Sequence, residues 1–155
     1  ITAVGLNVLA EGNAKKANKT MYSKISELRT TTMSKSGEWY MVISCQDNTY
    51  KLETHHVANG EDNIKDTSKF SASRISLNYY NGDSSTGYDL KNNSLKIQFN
   101  KNDGSCKSVT INDTEKFITE NLDAPQFGKI VASVSRNNTY ESKLWYKTGR
   151  VTTQN

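Results

Sequence analysis

The feature that most constrains this chain is a change of hydrophobic period at Gly37. Beyond Gly12, small or apolar residues fall at Ala14, Ala17, Met21, Ile25, Leu28 and Thr32. Those steps of three and four put them in one stripe along a helix. Lys15, Lys19, Ser23, Lys24, Glu27 and Arg29 occupy the other faces. The pattern predicts a helix over residues 1–35, about 50 Å long at about 1.5 Å per residue. Gly5 and Gly12 weaken it locally, and "TTTMSKSG" ends it with β-branched residues, serines and Gly37.

After Gly37 the period becomes two. "EWYMVISC" is apolar on both faces and suits a central strand, paired with "TYKLE" across "QDN". "RISLNYY" aligns Ile75, Leu77 and Tyr79, and "SLKIQFN" aligns Leu95, Ile97 and Phe99. "KNDG" is a turn leading into "CKSVTI", and "KIVASVS" with "SKLWYKTGRV" reads as a closing hairpin across "RNNT". Residues 59–68 read as a polar loop, and "KFITENL" fits either a strand or a short helix. About eight strands following one long helix predict an α+β fold. It is a single domain over 1–155, with a helix over 1–35 lying on an antiparallel sheet or sandwich formed by 36–155.

Charge is distributed unevenly. The net charge is +4, and residues 1–35 carry six basic side chains against two acidic ones. The remainder carries fourteen of each, a balanced body and a poor general nucleic-acid binder. The basic face of the helix comprises Lys15, Lys16, Lys19, Lys24 and Arg29. It can meet lipid phosphates or acidic partners, or it is a solvated face.

Catalytic patterns are sparse. His55 and His56 are adjacent, and on a strand they point to opposite faces, against a shared metal. No G-x-S-x-G elbow or Gly-rich phosphate loop occurs, and Glu61, Asp62 and Asp66 lack EF-hand spacing. The aromatic residues Trp39, Tyr40, Tyr79, Tyr80, Trp145 and Tyr146 read as core and sheet cover. No catalytic residue, metal ligand, cofactor or small-molecule substrate is expected. Cys45 and Cys106 are too far apart for a metal-binding CxxC pair. They form either a disulfide, if the protein is exported, or two small buried apolar residues.

The first ten residues are apolar apart from Thr2 and Asn7, with no charge before Glu11. Ile1, Val4, Leu6, Val8 and Leu9 extend past any core that a body of this size offers. They are an aggregation hazard in water unless covered by lipid or neighbouring helices. Because the chain starts on Ile rather than Met, a longer apolar segment is expected upstream.

Three stretches carry a family resemblance. "ITAVGLNVLAEGNAKKANK" is similar to the end of the N-terminal hydrophobic helix of type IV pilin-like proteins. "KISELRTTTMSKSGEWYMVIS" resembles the helix end and first strand of their H-type minor pseudopilin and minor pilin branch. "LKIQFNKNDGS" and "LWYKTGRVT" resemble its late strands, with an F-x-x-x-x-G phrase and a strand closing on "TGR". The resemblance implies a subunit held in the cytoplasmic membrane before assembly and trimmed by a prepilin peptidase. It is then packed by its helix against other pilin or pseudopilin subunits in a cell-surface filament. The assembly residues would be Ile1, Val4, Leu6, Val8, Leu9, Ala14, Ala17, Met21, Ile25 and Leu28. The alternatives are a pilin-like binding subunit that captures DNA or a surface ligand through its β loops, and a secreted hydrolase whose site these patterns miss.

Overall fold

The computed structural model describes residues 3–135 and 138–154, without the side chains of 3, 4, 6, 7 and 135. One helix, α1 (Ala3–Ser34), is followed by strands throughout. The chain is thus α+β, one N-terminal helix packed on two antiparallel sheets. In the helix, Ala14, Ala17, Met21, Ile25, Leu28 and Thr32 are buried, which is the stripe read from the spacing, and Ala10 extends it one turn further. Burial of Met21, Ile25 and Leu28 contributes about 1.5–3 kcal/mol each. At the far end, Thr30, Thr32 and Ser34 return their hydroxyls to the carbonyls of Ser26, Leu28 and Thr30. Such bonds compete with helix continuation. Lys101 Nζ donates to the Lys35 carbonyl at 2.7 Å, placing a cation at the helix end.

Three strands form consecutive hairpins, β1 (Glu38–Gln46), β2 (Thr49–Ala58) and β3 (Glu61–Ser71). Asp47 and Asn48 both have positive φ, and so do Asn59 and Gly60. Two successive left-handed residues make the tight turns that match strand twist. The chain then builds β4 (Ser76–Asn81) and β5 (Tyr88–Asp89) into a second sheet. It returns with β6 (Leu95–Phe99), β7 (Cys106–Ile111) and β8 (Glu115–Lys116), and closes with β9 (Phe127–Ser135), β10 (Asn138–Trp145) and β11 (Val151–Gln154). The sheets run β3-β2-β1-β6-β7-β8 and β11-β10-β9-β4-β5. The helix touches β1, β3 and β6 of the first sheet and β9, β10 and β11 of the second.

The inward faces are those the alternation required. Ile75, Leu77 and Tyr79, and Leu95, Ile97 and Phe99, are all buried. Tyr50 ties the sheets together, accepting the Leu77 amide at 3.0 Å and donating to the Ile75 carbonyl. Burial raises its hydroxyl pKa to about 12.

Three expectations are corrected. Residues 59–68 are not a loop, because most of them belong to β3. This strand is exposed along nearly its whole length, so nothing forced an apolar alternation into it. A bulge leaves Lys65 unpaired, which with Lys69 blunts the edge against further strand addition. "KFITENL" is neither a strand nor a helix, since regular pairing ends at Lys116 and 117–126 is irregular. The disulfide is absent. Both thiols are free, with Cys45 half-buried and Cys106 buried. Cys45 lies at one end of β1, whereas Cys106 pairs with Phe99, near the other end of β1 and two strands across. That separates them by about 20 Å along the strands, far beyond the roughly 7 Å Cα limit of a disulfide.

The glycines give a test of packing. Gly149 has φ of 68°, and a Cβ there would collide with the Gly104 carbonyl oxygen. Gly60 has φ of 78° but open space around it. Gly149→Ala is expected to cost about 3 kcal/mol, and Gly60→Ala about 1 kcal/mol. Urea unfolding measures both; equal costs would contradict the close approach.

Candidate functional site

The region of interest is built around the helix, and it divides into an anchored half and an uncovered end. At the anchored half, Arg29 Nε donates to the Gly104 carbonyl at 2.9 Å and to the Thr148 carbonyl at 3.1 Å. These carbonyls belong to the β6–β7 and β10–β11 turns, so one guanidinium joins the helix to both sheets. Higher up, the buried Asn18 side chain accepts the Ser142 hydroxyl at 2.7 Å, and Glu11 accepts the Tyr140 hydroxyl at 2.8 Å. Burial and then the Glu11 bond raise the Tyr140 pKa.

At the uncovered end, the stripe's burial starts at Ala10. Val8 and Leu9 are 65% and 58% exposed. Ile1 and the side chains of Val4 and Leu6 lie outside the described residues. Of the ten residues expected to serve assembly, the seven with described side chains fall into two groups. Ala14, Ala17, Met21, Ile25 and Leu28 are spent on the molecule's own core, while Val8 and Leu9 face outward. Among the described residues, no helix is long and apolar enough to cross a membrane.

The basic residues do not form one face. Arg29 is a partly buried structural anchor. Lys24 pairs with Asp66 at 2.8 Å and Glu27 at 3.5 Å, and its pKa is raised chiefly by the Asp66 hydrogen bond. The Lys15 ammonium lies 5.7 Å from the centre of the Tyr140 ring. Lys16 and Lys19 remain on the solvent side of the helix.

Elsewhere several titratable groups are engaged structurally. On the outer face of the first sheet, Tyr40 donates to Asp62, and His55 Nδ1 lies 2.9 Å from the same carboxylate. The two rings stack at 4.5 Å, and Lys96 sits 4.4 Å from the Tyr40 centroid. Hydrogen bonds from Tyr40 and then His55 lower the Asp62 pKa, while burial and then Asp62 raise Tyr40 to about 12. The phenol is therefore held protonated as a donor to Asp62, and the cluster pins β1, β2 and β3 side by side. His56 stacks on Trp39 on the opposite face and bonds the Ser36 carbonyl at 2.9 Å. Burial raises the Cys106 thiol to about 12, which suppresses the nucleophilic thiolate. Among the described residues, no three His, Cys, Asp or Glu side chains cluster to hold a metal. The Asp62 cluster and the role of Arg29 were missed from sequence, because both depend on long-range register rather than local spacing.

Asp62 gives a pH prediction. Its folded pKa lies below its unfolded value, so its stabilising effect is present above the ordinary carboxylate range, about pH 4, and is lost as acid protonates it. The gap in urea midpoint between the wild type and Asp62→Asn should be largest near neutrality and close below about pH 4. A gap independent of pH would contradict the assigned bonds.

No family model, curated protein or solved structure matches this chain.

Proposed function

We propose that this chain is a structural subunit, of the minor kind, in an extracellular type IV pilus or type II secretion-like pseudopilus. It assembles through its N-terminal helix after a membrane-anchored precursor stage. The observation that carries the reading is the exposure of Val8 and Leu9 on a helix that continues past the last turn covered by the sheets. Each such side chain gains about 1.5–3 kcal/mol when it is covered by lipid or a neighbouring helix. A helix used only to close its own core has no need of apolar residues on that outward end.

Further support comes from the convergence of the stretches that carry the resemblance. Phe99 to Gly104, the "TGR" turn and Arg29 are distant in sequence, yet all three meet at the Arg29 guanidinium. The helix is anchored at residues 11, 18 and 29, so its free end is held in a fixed direction. A rigid projecting helix suits a subunit that must enter a regular array. In this reading the chain has no enzymatic activity, and its partners are other pilin-class subunits.

The test uses the full-length product in its own cell, with a photo-crosslinking amino acid at Leu9. Crosslinks to filament subunits are expected in the sheared surface fraction. Leu9→Glu should reduce incorporation at least about tenfold, because it places a charge in an apolar contact. Leu9→Glu protein that is recovered in filaments at the wild-type level would contradict the reading. So would wild-type protein absent from the surface fraction.

A further inference from the structure

Among the described residues, the most exposed large apolar side chain outside the helix is Leu122, 81% exposed in the irregular segment after β8. It is presented, not left loose. The Ala124 amide bonds the Asn121 carbonyl at 3.1 Å, and the Asp123 amide bonds Asn121 Oδ1 at 3.0 Å. These bonds close a turn with Leu122 at its tip and Glu120 and Asp123 beside it. No basic residue lies in 117–126, and among the described residues neither acid has an ion-pair partner.

A complementary surface lies on the far side of the molecule. A cavity of about 430 Å³ opens between the second half of α1 and strands β1, β2 and β3. Leu28, Thr31, the stacked Trp39 and His56, and the exposed Lys35 and Lys65 line it. Glu27 and Asp66 also line it, but both are paired with Lys24. Lys35 and Lys65 have no ion-pair partner among the described residues.

We infer that the acidic Leu122 turn of one copy docks in the Lys35–Lys65 cavity of a second copy. Polarity and charge agree: an apolar knob flanked by two carboxylates meets a part-apolar socket lined by two ammonium groups without ion-pair partners among the described residues. The contact cannot close within one copy. The socket adjoins the β3 edge, while the turn follows β8 at the opposite edge of the same sheet. Five strand spacings, about 24 Å, separate those edges. Knob and socket are different surfaces, so the contact is heterologous and repeats head to tail, giving rings or an open filament. It joins bodies rather than helices, and it stands whether or not Val8 and Leu9 serve in assembly.

Sedimentation of the purified chain tests this in a background with Ile1, Val4, Leu6, Val8 and Leu9 all changed to Ser, which removes the apolar helix end as a cause of association. Self-association is expected up to about 1 mM protein, a range that populates even millimolar contacts. It should weaken with salt because the charges are exposed. Leu122→Ala should weaken it about tenfold or more, as removal of a central apolar anchor does. Lys35→Glu/Lys65→Glu and Glu120→Lys/Asp123→Lys should each abolish it, and all four changes in one chain should restore it. These side chains are on the surface, so folding should survive, which circular dichroism checks. A chain that stays monomeric throughout overturns the inference. Association that ignores Leu122→Ala, or that the fourfold charge exchange fails to restore, overturns it equally. Failure here with Leu9 crosslinks retained in filaments would reject this contact alone.

Discussion

Arg29 is the interaction on which the arrangement depends. Its guanidinium bonds carbonyls in two turns that belong to different sheets, 75 and 119 residues away in sequence. Both bonds share the single Nε–H, so the pair together contributes about 1.5–3 kcal/mol at most. The backbone has been cleared to allow them. A Cβ at Gly104 would meet Arg29 and Met33, and one at Gly149 would strike Gly104. Without this junction the lower half of the helix would still be held by burial of Met21, Ile25 and Leu28, but it would lose its direct polar link to both sheets.

Fixing the helix has a functional consequence. The core stripe is buried by the molecule itself, so the helix cannot roll to hide Val8 and Leu9 without exposing Met21, Ile25 and Leu28. The cost of such a roll, several large side chains at about 1.5–3 kcal/mol each, exceeds the gain. The apolar end therefore stays outward, and in the proposed reading a partner surface covers it. The inter-copy contact through Leu122 would add a second, charge-dependent restraint between bodies.

Much of the fold was legible because burial writes itself into spacing. Met21, Ile25 and Leu28 announced the helix stripe, and Leu95, Ile97 and Phe99 announced a half-buried strand. β3 was illegible for the same reason: an exposed edge strand has no buried face to impose alternation, and its Asn59-Gly60 turn was the remaining signal. Arg29 was grouped with the lysines because both are cations on one helix. Its flank position beside two glycine-containing turns emerges only when residues 104 and 148 are brought to it. The cysteines show the limit of counting, since two of them in sequence said nothing about opposite ends of a sheet.

The central claim is the proposal that Val8 and Leu9 belong to an apolar assembly helix. The most direct measurement is the sequence of the protein's mature N-terminal peptide, isolated from cells and read by mass spectrometry. The account predicts an apolar stretch running continuously into Val8 and Leu9 and long enough to bring the apolar helix to about 20 residues. A polar or folded segment joined to this helix, or a mature chain lacking any apolar extension, would contradict it.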